Sequence, residues 1–160
     1  MKIFSKTYKG ISLMELLVVM SIITIVTAIT IPTINHYLPS LRFSSSAKVI
    51  SAKLRQAQEE AITTQIRHGI QFNTTNPTSI DFIKFVAGVP PTITVIENVQ
   101  LPNNITLTLD PTISGNTNHA NSVIFSANGS PDVNGNVSIG FTGFTSKIIN
   151  ISPAGVIKLQ

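Results

Sequence analysis

From Ile11 to Ile31 the chain reads ISLMELLVVMSIITIVTAITI, and Glu15 is the one ionisable side chain in that run. As a helix rising about 1.5 Å per residue, the run spans roughly 30 Å, the thickness of a bilayer's hydrocarbon core. It has no polar face with which to lie on a soluble core, so it predicts a membrane span. Lys2, Lys6 and Lys9 precede it, and after Glu15 no charged side chain occurs until Arg42. The positive-inside bias then predicts a cytoplasmic N-terminus, with everything from about His36 onward across the membrane. Charged residues make up 11% of the chain, too few for a disordered protein. The absence of cysteine excludes disulfides, thiolate metal sites and a cysteine nucleophile.

Three kinds of segment look like this. A conventional signal peptide has a basic start and an apolar middle, and Val26-Thr27-Ala28 offers a small-residue cut. A plain anchor needs only the span. A leader cut after Gly10 leaves the α-amine of Ile11 at the head of the helix. Glu15 discriminates among them. An acid in the apolar region of a bilayer costs about 2.5–3.5 kcal/mol on insertion scales, less near a helix end. A signal peptide or simple anchor gains nothing in return. A helix that assembles with its own kind does gain. Ile11 and Glu15 stand i,i+4 on one face, so the carboxylate can meet a neighbouring subunit's terminal amine, and each charge relieves the other's desolvation.

Lys9-Gly10-Ile11-Ser12-Leu13-Met14-Glu15-Leu16 resembles the type IV prepilin motif: a short basic leader, Gly at the cut, an apolar residue, then Glu before an apolar run. The family usually has Phe where Ile11 stands. The resemblance implies cleavage between Gly10 and Ile11 by a membrane prepilin peptidase, with methylation of the Ile11 amine. It further implies assembly with other pilin or pseudopilin subunits, led by Leu13, Glu15 and Leu16. The segments are then a leader over 1–10, a transmembrane and assembly half-helix over 11–35, and a globular domain over 36–160 with helix to about 66. The expected localisation is the bacterial inner membrane, single-pass, with the globular domain periplasmic.

Pro32 and Pro39 lack the N–H of a helical ladder, and Pro32 is expected to kink the helix rather than end it. Pilin-like proteins commonly bend near this point. Beyond it, Phe43, Ala47, Ile50, Leu54, Ala57 and Ala61 form one apolar stripe at alternating three- and four-residue spacing. Lys48, Arg55, Gln56 and Glu59 fall off the stripe, and Arg55 can pair with Glu59 at i,i+4. The helix is expected to reach about Gln65.

After Arg67 the texture becomes short apolar runs between Pro, Gly, Asn and Thr. Expected strands are His68–Asn73, Ile80–Val86, Thr92–Val99, Ile105–Asp110, Ser122–Ala127, Asn136–Phe141, Phe144–Ser152 and Val156–Leu159. The last two read as a hairpin, and the stretch from Pro111 to Asn121 as disordered. Antiparallel strands, in one sheet or more, packed on the amphipathic helix give an α+β, pilin-like fold whose long N-terminal helix is transmembrane over its first half. The helix end Leu54 to Ile62, and the ending Val123-Ile124-Phe125 … Gly129 … Ile148 to Ile157, are similar to the GspH/FimT branch of that superfamily. These are minor pseudopilins of type II secretion and minor pilins of type IV pili.

No site for catalysis, cofactor or metal emerges. His36, His68 and His119 share no ligand spacing with acids, and no hydrolase, P-loop or dinucleotide motif occurs. Asp132 to Asn136 resembles half of a calcium loop but has Val137 and Gly143 where glycine and acid belong; a hairpin with an Asn134-Gly135 turn explains it better. Removing Lys2, Lys6 and Lys9 with the leader leaves eight basic side chains against seven acidic ones. After Arg67 the cations are Lys84, Lys147 and Lys158, few for a phosphate-tracking groove. The function expected is therefore structural and non-enzymatic, as a minor pseudopilin or minor pilin. The alternatives are a DNA-uptake pilin, which would take nucleic acid as a partner, and an envelope protein with an ordinary signal.

Overall fold

The computed structural model describes residues 12–75, 77–86, 92–117 and 119–160, apart from the side chains at 32, 33, 35 and 36. The chain divides into two compact units between Pro39 and Ser40. Helix α1, Leu13–Thr64, runs 52 residues and passes positions 32 and 39 without ending. It stops where Gln65 takes a left-handed conformation, φ 57°. The Gln65 side-chain amide donates back to the Ile62 carbonyl at 2.6 Å, satisfying one of the acceptors that a helix end leaves open.

In the unit from residue 40 onward, all six stripe residues of α1 are buried, five of them completely. They pack on eight strands: β1 (His68–Asn73), β2 (Ser79–Val86), β3 (Thr92–Gln100), β4 (Ile105–Leu109), β5 (Ser122–Phe125), β6 (Gly135–Phe141), β7 (Phe144–Ile151) and β8 (Ile157–Leu159). Each expected strand is present, with ends shifted by no more than two residues. The strands form two four-stranded antiparallel sheets, ordered β3-β2-β1-β5 and β4-β6-β7-β8. Every pairing is antiparallel. Alternation in a sequence tells which face of a strand is buried, not which strand lies beside it, and here both sheets bury one face on the same helix stripe. Ile70, Phe72, Ile80, Phe82, Val123 and Phe125 come from the first sheet, and Ile105, Leu107, Val137, Ile139, Ile149 and Ile151 from the second. Each such side chain contributes roughly 1.5–3 kcal/mol relative to exposure. The buried Thr78 hydroxyl donates to the Ile105 carbonyl at 2.9 Å and ties the start of β2 to β4.

A second, smaller cluster sits on the opposite face of the first sheet. Ile83 and Ile124 close over Gly69, the residue paired with both. A Cβ on Gly69 would lie 2.5 Å from the Val123 carbonyl oxygen, so only glycine lets the two isoleucines meet.

The segment from Pro111 to Asn121, expected as disordered, contains an ordered turn of helix α2, Pro111–Ser114, capped by Asp110. Residue 118 lies outside the described residues. Ile113 is fully buried in the main core, and the buried Asn116 amide donates to Ser122 O and Asp132 Oδ2, both at 2.9 Å. One apolar anchor and one buried amide order a loop whose composition alone reads as mobile. Asn134-Gly135 is likewise not a hairpin turn; it leads from the first sheet into β6 of the second. The tight turn is at Ser126–Ser130, where Gly129 N donates to Ser126 O at 2.8 Å.

Candidate assembly segment

The 19 residues Leu13–Ile31 form a helical stretch of mean hydropathy 2.3, none of it buried within the chain. Leu13 is 76% exposed and Leu16 52%. The helix begins where the Ser12 carbonyl accepts from Leu16 N at 3.1 Å. Glu15 lies in the first turn, at the positive end of the helix dipole, where an anion is favoured. Together with Leu16, Val19, Met20 and Ile23 it lines one surface groove of the helix, so the acid heads an apolar face. Gly10 and Ile11 lie outside the described residues.

Four hydroxyls interrupt the apolar run, and each is satisfied inside the helix. Ser21 donates to Val18 O, Thr24 to Met20 O, Thr27 to Ile23 O and Thr30 to Val26 O, at 2.7–2.8 Å. An unpaired hydroxyl in hydrocarbon or in a dry helix interface costs several kcal/mol. Back-bonding removes that cost and leaves Glu15 as the one polar side chain of Leu13–Ile31 without a hydrogen bond among the described residues.

A feature of the globular unit escaped sequence reasoning. The Gln58 amide donates to Gly129 O at 2.8 Å and to Gly155 O at 3.0 Å. Gln58 lies on α1, Gly129 in the turn after β5, and Gly155 in the turn between β7 and β8. One side chain thus joins the helix to a turn of each sheet. Both glycines have positive φ, 80° and 79°. A Cβ on Gly155 would fall 2.5 Å from Gln58 Nε2 and 2.6 Å from Gly129 O. The helix end and the chain ending that carry the GspH/FimT resemblance are therefore in direct contact. Glycines after turn residues, opposite a helix glutamine, are the only signal the sequence holds for this junction.

Several other singled-out residues have partners within the fold, and the side chain of His36 lies outside the described residues. His68 is buried and its Nδ1 lies 2.8 Å from Ile66 O. Asp132, the head of the calcium-like stretch, accepts from Ile124 N at 2.9 Å and from the Asn116 amide. No group of three potential metal ligands exists among the described residues. Arg55 does not pair with Glu59; it donates to the Ile157 carbonyl at 3.2 Å. Lys84 lies on β2 of one sheet, and Lys147 and Lys158 on β7 and β8 of the other. Lys147 faces the helix, 3.2 Å from the Ser44 hydroxyl, whereas Lys158 is exposed at a position paired with Asn150. The three do not share a face. Among carboxylates, Asp110 is held below its usual value of 3.8 by the Thr112 backbone N–H, then by the Thr112 hydroxyl.

A family described as the prokaryotic N-terminal methylation motif matches residues 5–31. Solved structures match the fold over most of the chain. The type IV minor pilin FimU of Pseudomonas aeruginosa shows 18% identity over 78% of this chain and 92% of that one, with a TM-score of 0.59. The minor pseudopilin EpsH from the type II secretion system of Vibrio cholerae shows 15% identity over 74% and 94%, also with a TM-score of 0.59. No curated protein sequence matches the chain. The chain thus joins an N-terminal methylation motif to a pilin-like fold.

Proposed function

We infer that this protein is a structural subunit of a membrane-assembled filament, a minor pseudopilin or minor pilin. Prepilin peptidase would cut between Gly10 and Ile11 and methylate the Ile11 amine. The subunit would wait in the inner membrane with its N-terminus cytoplasmic and its globular domain periplasmic, then enter the filament. The observation that carries this reading is the placement of the methylation motif at the head of α1. Its first part is exposed and apolar apart from Glu15, with its hydroxyls bonded inside the helix, and its last part lies in the core of a pilin-like domain.

Each part of the segment has a stated role. Leu13, Leu16 and the apolar residues to Ile31 supply helix–helix packing, in lipid first and in the filament afterwards. Glu15 sets register by pairing with a neighbouring subunit's terminal amine. Pro32 is the bend point. No catalysis and no cofactor enter the account. Between the two kinds of filament we favour a type II secretion pseudopilus over a type IV pilus, and we place the DNA-uptake alternative behind both. The scattered placement of Lys84, Lys147 and Lys158 gives a DNA backbone no stripe to follow.

Co-expression with a prepilin peptidase tests the reading. The chain should shorten, and Gly10→Val should block the shortening and keep the protein out of filaments. Filaments containing uncut Gly10→Val protein would overturn it.

A further inference from the structure

Three phenylalanines gather at the Ser40 end of the globular unit. Phe43 of α1 stands 6.0 Å, centroid to centroid, from Phe141 and from Phe144. Phe141 and Phe144 are paired across the β6–β7 hairpin and meet edge to face at 5.3 Å. Phe43 is buried, but Phe144 is 39% exposed. The hairpin turn beside it projects into open space: Gly143 has φ 86°, and a Cβ there would meet nothing within 4 Å. Lys147 Nζ lies 5.8 Å from the centre of the Phe43 ring, and Arg42, next to Phe43, is exposed. The elements that meet here carry no acid: α1 has none between Glu15 and Glu59, and Ile105–Leu109 and Gly135–Ile151 have none.

We propose that this end of the globular unit docks on the surface of the membrane that the apolar run crosses, with the Phe144 ring in the headgroup layer and Arg42 and Lys147 on anionic headgroups. The proposal rests on the reading of Leu13–Ile31 as a membrane span. Chain length selects a lipid surface as the occupant. Leu16–Leu41 has no Asp, Glu, Lys or Arg, and as helix it is roughly 39 Å long. A bilayer is about 30 Å thick in its hydrocarbon and about 40–45 Å with its headgroups. With Glu15 at the inner boundary, the uncharged run ends in the headgroup layer of the far side, and Arg42 and Phe43 follow at once.

Charge and chemistry agree with that occupant. Amphipathic aromatic groups and basic side chains are what a membrane–water interface favours. A Lys or Arg near an anionic surface adds about fivefold to its partition, and salt screens the gain. Lys147 can keep its stem against Phe43 while its ammonium turns to a phosphate. A contact of one ring and two cations is weak enough to break when the helix leaves the bilayer for a filament, so docking and assembly do not conflict.

The chain has no tryptophan, so one introduced indole reports alone. The full-length Phe144→Trp chain would be reconstituted into vesicles of phosphatidylcholine and phosphatidylglycerol, with and without bromine on the upper acyl carbons. The expected result is blue-shifted emission that the brominated lipid quenches. Val156→Trp, exposed in the turn after β7, should show no shift and no quenching. Adding Arg42→Gln or Lys147→Gln to Phe144→Trp should lower the docked-to-free ratio about fivefold. Thr142→Trp, at an exposed position of the same turn, should repeat the reading with all three phenylalanines intact. Emission from Phe144→Trp that matches Val156→Trp, quenching indifferent to both cations, or a blue shift without lipid quenching, which marks cover by another protein chain, would overturn the docking. Flotation of the same vesicles separates the two claims. An inserted chain without quenching removes the docking alone; a chain that does not float with the vesicles removes the span, and the docking with it.

Discussion

Replacing Gln58 with alanine removes both hydrogen bonds that hold the turns at Gly129 and Gly155 to the helix. A net hydrogen bond contributes roughly 0.5–1.5 kcal/mol, and a buried acceptor left without a partner costs about 1–3 kcal/mol. Gln58 is partly buried, so water can reach some of the released carbonyls, and the lower values apply. Two bonds at that level predict a loss of about 1–3 kcal/mol for Gln58→Ala. A loss of 1 kcal/mol lowers the midpoint of a domain this size by roughly 3–6 °C. Gly155→Ala reaches the same junction from the other side. The left-handed backbone alone costs about 1–2 kcal/mol for a residue with a Cβ, and that Cβ would also fall 2.5 Å from Gln58 Nε2. The two changes should therefore be less than additive, because each disrupts what the other removes. The assay is thermal unfolding of the detergent-solubilised chain followed by circular dichroism in the strand region, for both single variants and the double. Wild-type melting of Gln58→Ala, or strict additivity of the pair, would refute the idea that one amide couples the helix to both sheets.

Further expectations follow from other places in the fold. Gly69→Ala should destabilise by about 1–3 kcal/mol through overpacking; its Cβ would meet backbone at 2.5 Å, and an unchanged melting temperature would show that β1 and β5 can part freely. The lowered pKa of Asp110 means that its cap is fully stabilising above the ordinary value of 3.8 and is lost as pH falls through the lower, folded value. Asp110→Asn keeps a capping side chain and should flatten the acid limb of an unfolding profile, leaving stability near neutral pH almost unchanged. Glu15→Ala should still be cleaved after Gly10 but should enter filaments poorly; normal incorporation would remove the charge-pairing role. A gel shift with duplex DNA at low salt should be absent, and a salt-dependent shift would favour the DNA-uptake alternative.

Much of this molecule is legible from local pattern. The stripe from Phe43 to Ala61 is read at helical spacing, and each residue on it is buried. The eight strands are read from short apolar runs between breakers. What the pattern does not carry is long-range partnership. β4 follows β3 in sequence yet pairs with β6, because Thr78 and the turn at Pro102 carry the chain to the second sheet. Ile113 and Asn116 order a segment whose Thr-, Ser- and Asn-rich composition suggests otherwise. Arg55 finds the Ile157 carbonyl, 102 residues away, before Glu59 one turn along. The N-terminal motif is the opposite case: its information lies within a few residues, so Gly10, Ile11 and Glu15 stand out with no tertiary structure at all.

The central claim is that the basic leader is discarded and the apolar helix kept. The intact mass of the mature protein, with and without prepilin peptidase, tests this directly. Loss of residues 1–10 and gain of one methyl group are expected when the peptidase is present, and an uncut chain when it is absent. A chain left uncut in the presence of the peptidase, or one beginning after Ala28, would contradict it.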